Sequence, residues 1–412
     1  MSRPVERVAV IGAGTMGAGI AHLAATKGCS VTLIDVSADL LSRAIGQIGS
    51  RLDRSVAKGR VTAAQRKAIL DRISPVTRIA ELSDVELVIE AVVEVMEVKQ
   101  KVFRALDDAA AAKAVLATNT SSLSVSQIGA VVEDPGRVVG MHFFNPPVVM
   151  PLVEIVAANQ SGPEALALAT QTARAWGKVP VRAKDTPGFI VNRVARGFYL
   201  ESLRMLGEGV AGVKTIDEAL RKLGGFRMGP FQLMDLVGID VNYTVSCSVW
   251  ERFGKPPRLT PHEIQSELVS QGRLGRKTSR GFYRYDCDPP AVDLERSEGQ
   301  FEPSSSVRDA VVAFVESAAL CDAGKLGESA IVDHYAFARV VVAIMNEAAL
   351  ALMEGVASSE DIDTAMQRGT NYPLGPLAWA RRTGYKTVVQ LLEALDGETP
   401  DGRFAAATLY SE

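Results

Sequence analysis

Residues that bind metals or form disulfides are scarce in this sequence. Its 412 residues include four cysteines and four histidines, and neither type is clustered. No two cysteines form a CxxC pair; they stand at Cys29, Cys247, Cys287 and Cys321. We therefore expect no metal site, and we expect reduced thiols such as those of a cytoplasmic protein.

A strong net charge and long apolar runs are also missing. Lys and Arg number 45 and Asp and Glu 48, and the net charge of −3 argues against a basic nucleic-acid-binding protein. No stretch reaches about 18 uninterrupted apolar residues, so no transmembrane helix is predicted. Gly12, Gly14 and Gly17 interrupt the first apolar run where a signal peptide would continue it. We expect a cytoplasmic protein with neither nucleic acid nor membrane as its partner.

The chain opens with a strand, a glycine-rich turn, a helix and a second strand within about 30 residues. Residues 5–11 (VERVAVI) form a β-branched run typical of a strand buried on both faces. The helical stretch IAHLAATKG ends at Gly28, and the second strand, SVTLID, ends at Asp35. This order predicts a βαβ unit.

Strand and helix patterns alternate up to about residue 184 and predict an α/β Rossmann-type domain over 1–184. Helical periods then dominate and predict an all-α C-terminal domain over 185–285, the first helical copy. Residues 286–305 are rich in Pro, Ser and acidic side chains and predict a linker. Helical patterns resume over 306–412, the second helical copy.

The two helical copies repeat one another in a single register. EGV at 208–210 recurs at 354–356, 146 residues later. IDEA at 216–219 recurs as IDTA, and GPF at 229–231 recurs as GPL, both at the same offset. Three further pairs keep this offset without a gap: Arg193 and Arg339, Glu201 and Glu347, Gly238 and Gly384. The pattern predicts an internal duplication of the helical domain.

The glycine motif predicts a dinucleotide site. Gly12 permits a tight turn, Gly14 lets the backbone approach a pyrophosphate, and Gly17 lets the helix pack on the sheet. Thr15 and Met16 lie in the same turn. Asp35 ends the second strand, where its carboxylate accepts the ribose hydroxyls and disfavours a 2′-phosphate, so NAD is favoured over NADP. A tight turn without a ligand is the weaker alternative.

A histidine and a glutamate form the candidate catalytic pair. His142 ends the strand of GMHFFNPP, and Glu154 lies in the apolar strand PLVEIV. A chain that reverses between them brings the two side chains together, and a carboxylate then orients the imidazole as a general base. A core histidine with a solvated glutamate explains the spacing equally well.

Three further groups of polar residues have a functional and a structural interpretation. The run 118–122 (TNTSS) follows a strand, where it would contact a ligand or merely cap the next helix. Asn192 lies at the domain junction, where it would bind substrate or lie between helices. The basic stretch Arg51, Arg54, Lys58 and Arg60 is most simply a solvated helix face, and alternatively a landing site for a phosphorylated substrate.

Residues 5–285 resemble the L-3-hydroxyacyl-CoA dehydrogenase family. The matching segments are VAVIGAGTMGAGIA, VIEAVVE, ATNTSSL, GMHFFNPPVVMPLVE, DTPGFIVNR and GRKTSRGFYRYD. The resemblance implies that His142 is the catalytic base and Glu154 its partner. It implies that Ser121 and Asn192 position the substrate and the histidine. It further implies contacts to NAD from Glu94, Lys99 and Asn119, and a contact to the CoA phosphates from Lys58.

The resemblance therefore implies NAD-dependent oxidation of a short-chain (S)-3-hydroxyacyl-CoA such as 3-hydroxybutyryl-CoA. Three alternatives stay open: a 3-hydroxyadipyl-CoA dehydrogenase of aromatic catabolism, a dehydrogenase of free hydroxy acids, and a non-catalytic NAD-binding relative. The sequence contains no enoyl-CoA hydratase segment, so a multifunctional enzyme is not predicted.

The second helical copy resembles the duplicated C-terminal domain of longer family members. Asn192 corresponds to Ala338 at the 146-residue offset, so we expect this copy to be catalytically silent. In the family the helical domain forms dimers. We therefore predict that 306–412 packs on the first helical copy as an intramolecular pseudo-dimer, and further homo-oligomerisation stays open.

Overall fold

The structure is a computed structural model that describes residues 5–79, 82, 84–295, 299, 301–321 and 330–411. Contacts divide the chain into two compact units, an N-terminal unit (Met1–Phe189) and a C-terminal unit (Ile190–Glu412). The N-terminal unit ends just after the predicted change of pattern at residue 185. Apart from residues 185–189, both predicted helical copies belong to the C-terminal unit, and the finer division into domains stays a prediction.

The N-terminal unit is built on one sheet of eight strands in the order β3-β2-β1-β4-β5-β6-β7-β8. All neighbouring strands are parallel except β6 and β7, which are antiparallel. The strands are β1 (Arg7–Ile11), β2 (Ser30–Ile34), β3 (Ile73–Val76), β4 (Leu87–Glu90), β5 (Val115–Thr118), β6 (Val138–Phe143), β7 (Leu152–Ala157) and β8 (Val179–Lys184). The predicted Rossmann-type α/β fold is confirmed.

The two edge strands, β3 and β8, were not predicted from the sequence. Each contains a proline, Pro75 or Pro180, and most of its side chains are exposed or partly exposed, three of four in β3 and four of six in β8. Proline lacks the N–H that a central strand must donate, so it is confined mainly to sheet edges. The pattern of a buried strand is therefore absent from both segments, although both pair in the sheet.

Helices connect these strands. The long helix α2 begins at its N-cap Ser37, whose hydroxyl accepts from Leu40 N at 3.3 Å. The helix α3 begins at a capping box between Thr62 and Gln65. The helices are α1 (Thr15–Thr26), α2 (Ala38–Ala57), α3 (Ala63–Asp71), α4 (Met96–Ala109), α5 (Val125–Gly129) and α6 (Pro163–Ala175).

The C-terminal unit is helical, as predicted. A short hairpin of β9 (Tyr283–Arg284) and β10 (Ala291–Val292) separates two groups of helices. The first group is α7 (Val191–Val194), α8 (Arg196–Gly207), α9 (Val213–Gly224), α10 (Pro230–Val237), α11 (Ile239–Arg252) and α12 (Glu263–Ser270). The second group is α13 (Ser305–Ala318), α14 (Ala330–Met353), α15 (Ser359–Gly369), α16 (Pro376–Thr383) and α17 (Tyr385–Glu398).

The repeated motifs have one structural basis, which occurs twice. Asp217 on α9 accepts from two N–H groups in the first turn of α10, at 2.9 and 3.2 Å. Asp363 on α15 accepts from the corresponding groups of α16, at 2.7 and 2.9 Å. A Cβ atom at Gly229 or Gly375 would lie 2.2 or 2.3 Å from the aspartate, so only glycine fits. Asp, Gly and the Pro that follows Gly therefore recur together.

The two helical groups exchange equivalent ion pairs. Arg193 Nε lies 2.6 Å from Glu347, and Arg339 Nε lies 2.8 Å from Glu201. The two pairs interchange under the 146-residue offset, and α8 packs on α14 beside them. A Cβ at Gly197 would lie 3.0 Å from the backbone of α14, so glycine permits the close approach. The two groups are thus related by an approximate two-fold exchange of contacts.

The described part of the predicted linker is not a free tether. In β10, Ala291 and Val292 pair with β9, and Asp293 lies 2.7 Å from Arg273 and 3.0 Å from Arg280. The chain up to residue 295 is therefore held against the first helical copy. Residues 296–298 and 300 of the predicted linker lie outside the described residues.

One helix in the described part of the chain is long and apolar enough to cross a membrane by composition alone. This segment, Ile331–Met353 of α14, has 78% of its window buried inside the protein. It packs against α8, α9 and α13, as a core helix does. It contains no long uninterrupted apolar run, because charged side chains such as Asp333 and Arg339 interrupt the stretch.

Candidate active site

The glycine-rich turn between β1 and α1 has the geometry that its sequence predicts. Gly12 has φ +101°, and a Cβ there would lie 2.6 Å from the Ala91 oxygen. A Cβ at Gly17 would lie 1.8 Å from the Gly12 oxygen, so α1 could not approach the strand. At Gly14 nothing lies within 4 Å, which leaves open space beside the backbone. Two of these glycines therefore serve packing, and the third leaves room for a ligand.

The start of α1 is suited to an anion. No side chain caps this helix at its N-cap Gly14, and Gly14 and Thr15 are exposed while Met16 is half-buried. The first N–H groups of a helix lack intrahelical partners and carry partial positive charge. The turn thus offers backbone donors to a pyrophosphate.

Asp35 lies beside this turn, just after β2. Its Oδ2 accepts from Ala13 N at 2.8 Å and its Oδ1 from Ser37 N at 3.1 Å, which fixes the carboxylate. A cavity of about 410 Å³ adjoins it, lined by Gly12, Gly14, Asp35 and several aliphatic side chains. Two of these, Val36 and Val93, are 95% and 63% exposed. A carboxylate beside exposed apolar side chains fits the adenosine half of a dinucleotide.

A buried ion-pair network lies on the same edge of the sheet. The Lys99 ammonium is 2.7 Å from Glu90 and 3.2 Å from Glu94. Thr118 Oγ1 donates to Glu90 at 2.7 Å. Glu90 was not predicted as a site residue, although its charge inside the apolar run ELVIEAV is a signal that the sequence carries. Lys99 is 1% exposed, so its ammonium acts mainly on these two carboxylates.

Glu94 holds the loop that contains Ser121. Its Oε1 accepts from Thr120 Oγ1 at 2.5 Å and from the backbone N atoms of Ser121 and Ser122 at 2.9 and 3.1 Å. Burial opposes ionisation of this carboxyl, but Lys99 and these donors outweigh it and hold the pKa of Glu94 below its usual range. The charged carboxylate therefore stabilises the TNTSS loop.

Asn119 connects this loop to the strand of the candidate base. Its Oδ1 accepts from Phe143 N at 2.9 Å, immediately after His142. The interaction lies at the carboxyl end of β6, where ligands bind in open α/β sheets. Asn119 therefore fixes the backbone at the end of that strand.

His142 and Glu154 lie opposite one another on the antiparallel strands β6 and β7. Their Nδ1 and Oε2 atoms are 2.6 Å apart, and Glu154 is fully buried. The rings of Phe144 and Phe189 lie 4.6 and 5.8 Å from the imidazole. The alternative of a solvated glutamate is thus wrong. A carboxylate that accepts from Nδ1–H leaves Nε2 as the ring atom that can take a proton.

The other candidate residues lie as follows. Ser121 is half-buried in the N-terminal unit. Asn192 is half-buried on α7 in the C-terminal unit, and its backbone oxygen accepts from Arg196 Nε at 2.8 Å. Lys58 is exposed at the C-cap of α2, one to two turns beyond Arg51 and Arg54, which line a surface depression with Arg43. Among the described residues, no group of His, Cys, Asp and Glu side chains could hold a metal ion.

Two family models match the chain. The model described as 3-hydroxyacyl-CoA dehydrogenase, NAD binding domain, matches residues 7–186. The model of the C-terminal domain of 3-hydroxyacyl-CoA dehydrogenase matches twice, over 188–285 and 335–412. The first match covers the first group of helices, and the second covers the second group from within α14 onward, without α13.

Individual proteins resemble the chain over all or part of its length. A 3-hydroxyadipyl-CoA dehydrogenase of Escherichia coli K12 is 40% identical, over 99% of this chain and 97% of its own. The crystal structure of 3-hydroxybutyryl-CoA dehydrogenase from Escherichia coli K12 substr. MG1655 has a TM-score of 0.87 at 39% identity and covers 99% of this chain and 98% of its own. A 3-hydroxybutyryl-CoA dehydrogenase of Mycobacterium tuberculosis H37Rv is 39% identical over 69% of this chain and 100% of its own.

Proposed function

Because this chain belongs to the 3-hydroxyacyl-CoA dehydrogenase family, we propose that it catalyses the reversible, NAD-dependent oxidation of (S)-3-hydroxyacyl-CoA to 3-oxoacyl-CoA. The observation that supports this most directly is the 2.6 Å contact between His142 and Glu154. This contact orients His142 as a general base, and the same sheet carries the glycine-rich turn that is suited to a dinucleotide.

NAD, when bound, accepts a hydride from C3 of the substrate. The residues that would hold it are those of the glycine turn and of the second strand end: Gly12, Gly14, Thr15, Met16, Gly17 and Asp35. Glu94, Lys99 and Asn119 remain proposed cofactor-site residues. The contacts of Glu94 and Asn119 support a role in shaping the 118–122 loop and the end of β6, and those of Lys99 support a role in keeping Glu94 charged.

His142 takes the proton of the C3 hydroxyl on Nε2 during oxidation and returns it during reduction. Glu154 keeps the Nδ1–H tautomer and stabilises the imidazolium that forms. Ser121 and Asn192 are proposed to position the substrate oxygens. Proton transfer of this kind contributes typically about 10²- to 10⁴-fold to the rate.

The basic side chains of α2 are the proposed contact to the CoA phosphates. Lys58, Arg51 and Arg54 lie on one exposed region of the helix, and Lys58 and Arg54 are exposed to solvent. Diphosphate groups bind such clusters through charge-assisted hydrogen bonds. A solvated helix face without this role is the alternative.

The substrate is proposed to be a short-chain 3-hydroxyacyl-CoA, such as 3-hydroxybutyryl-CoA, in fatty-acid β-oxidation or related acyl-CoA metabolism. A 3-hydroxyadipyl-CoA substrate is the second candidate, favoured by the relative that is 40% identical over nearly both full lengths. A cytoplasmic location is proposed with either substrate, in keeping with four free cysteines.

The second helical copy is proposed to be catalytically silent and to act as an intramolecular pseudo-dimer partner. Ala338 replaces Asn192 at the equivalent position. The exchanged ion pairs of Arg193 and Arg339 and the packing of α8 on α14 support this arrangement within one chain.

The reduction of acetoacetyl-CoA by NADH tests the proposal. We expect turnover by the wild-type chain and almost none by His142→Gln, which cannot act as a base but should still bind NADH. Turnover of free acetoacetate but not of its CoA thioester would instead favour a dehydrogenase of free hydroxy acids. Binding of NADH without turnover of any substrate would favour a non-catalytic relative.

A further inference from the structure

Arg196 is a buried arginine without an acidic partner. It lies one helical turn beyond Asn192 and is 3% exposed. Its Nε donates to the Asn192 oxygen at 2.8 Å, and its Nη1 donates to Ser246 Oγ at 2.7 Å and the Asn242 oxygen at 3.2 Å. Among the described residues, nothing accepts from Nη2. The other buried arginines each pair with a carboxylate: Arg137, Arg193, Arg204 and Arg339.

Tyr199 lies against this guanidinium, and Tyr372 belongs to the same aromatic cluster, because the Phe198 ring centre lies 5.6 Å from that of Tyr199 and 5.7 Å from that of Tyr372. The Tyr199 ring centre lies 5.0 Å from Arg196 Cζ. The Tyr372 hydroxyl is buried and has no hydrogen-bond partner in the described part of the chain. Burial raises the pKa of Tyr372 well above its usual value, although nearby Arg196 lowers it, so its hydroxyl stays protonated and can donate. A cation and a free hydroxyl donor, with no anion beside them, match the needs of a carboxylate.

The second helical copy shows that the fold does not require these polar groups. Val342 occupies the position equivalent to Arg196, Val388 that of Asn242, and Leu392 that of Ser246. All three are fully buried. A buried charge is costly unless it is paired, whereas apolar side chains fill the same place without that cost. The polar cluster is therefore present only in the copy that contains Asn192.

The same comparison distinguishes Tyr372. Its equivalent in the first copy is Phe226, and the two rings lie 5.1 Å apart. Both copies thus have an aromatic ring at this position, but only the ring of Tyr372, in the second copy, carries a hydroxyl group. The second copy, although it lacks a counterpart of Asn192, contributes this hydroxyl to the first copy.

We propose that Arg196 and the Tyr372 hydroxyl bind the terminal carboxylate of the acyl chain, so that the preferred substrates are 3-hydroxyacyl-CoA thioesters of dicarboxylic acids. This inference rests on the proposed function, in which Asn192 lies beside the oxygen at C3. Arg196 Nε lies 2.8 Å from the Asn192 backbone oxygen, so the two residues are direct neighbours. In a six-carbon chain, C3 and the terminal carboxyl carbon are separated by three bonds of about 1.5 Å each. The dimensions therefore suit a six-carbon dicarboxylic chain.

The test compares two thioesters of equal length, 3-oxoadipyl-CoA and 3-oxohexanoyl-CoA, with NADH as the reductant. They differ only in a terminal carboxylate or methyl group. The wild-type chain should show a kcat/KM ratio of about 10- to 100-fold in favour of the carboxylated thioester, the size expected of hydrogen bonds to a charged group. In Arg196→Val combined with Asn242→Val and Ser246→Leu, which carries the side chains of the second copy, this ratio should fall to near one.

Tyr372→Phe is the milder variant and keeps the ring that Phe226 has in the first copy. Its ratio should fall by about three- to tenfold, as for the loss of one hydrogen bond. A wild-type ratio near one would overturn the proposal, and so would an equal loss of kcat/KM on both thioesters in the triple variant with Arg196→Val and in Tyr372→Phe. If the wild-type chain reduces neither these thioesters nor acetoacetyl-CoA, the proposed function itself fails. If the wild-type chain reduces 3-oxohexanoyl-CoA as efficiently as 3-oxoadipyl-CoA, only the carboxylate site is refuted and the proposed function stands.

Discussion

Replacing Glu154 by glutamine is expected to remove the charge that stabilises protonated His142 while preserving the shape of the side chain. Glu154 is fully buried, and its Oε2 lies 2.6 Å from His142 Nδ1. Opposite charges about 4 Å apart attract by about 4 kcal/mol at an effective dielectric constant of about 20. A glutamine amide can also donate to Nδ1, which would place the ring proton on Nε2 and block its use as a base.

The expected result is a decrease in kcat of about 100- to 1,000-fold, since about 1.4 kcal/mol corresponds to a factor of ten. The assay is steady-state reduction of acetoacetyl-CoA, with NADH affinity measured separately by fluorescence. Glu164→Gln makes the same chemical change at an exposed residue on α6 and should leave kcat unchanged. If Glu154→Gln retains kcat within about threefold of the wild type, the proposed role of the pair is refuted.

Three further predictions concern the cofactor, acid stability and the second copy. Asp35→Ala should weaken NADH binding and reduce the preference over NADPH in titrations, and equal use of both cofactors by the wild type would contradict the assignment. Burial, aided by Arg51, lowers the pKa of His22 from 6.5 to about 4. The unfolded chain therefore takes up this proton first as pH falls below 6.5, and stability decreases by on the order of 3 kcal/mol towards pH 4. In His22→Leu, the free energy of unfolding, measured by urea titration at several pH values, should decrease less between pH 6.5 and pH 4. An unchanged decrease would show that another group causes it. Cutting the chain after residue 295 should expose the face of α8 and yield dimers or aggregates in sedimentation, whereas a soluble monomer of unchanged heat stability would rule out the packing role.

Features set by neighbouring residues were predictable from the sequence. The βαβ unit with its glycine turn depends on a strand pattern, on the backbone freedom of Gly12 and on the contact at Gly17, all within one short segment. The helical repeat was also readable, because Asp217 and Gly229 serve the same cap as their counterparts in the second copy. Such local constraints restrict the residue types at neighbouring positions, so they can be recognised in the sequence.

Features that depend on the register between distant segments could not be predicted from the sequence. Spacing left the contact between His142 and Glu154 at even odds, because a one-residue shift of β7 would place the glutamate on the opposite face of the sheet. The family resemblance favoured a contact between His142 and Glu154, and the pairing of β6 with β7 places the two residues opposite one another. The edge strand β3 was missed because pairing with β2, and not its own pattern, makes it a strand.

The sequence by itself determined the Rossmann-type fold, the dinucleotide turn, the duplication and, through its motifs, the family. Only the tertiary structure decided how charges are distributed among partners. Arg193 and Arg339 find carboxylates across the two helical groups, whereas Arg196 is buried beside Asn192 without one. All three are simply arginines in apolar helices when read along the chain. Their difference lies in which side chains from remote segments surround them, since the free energy of a buried charge depends on those neighbours.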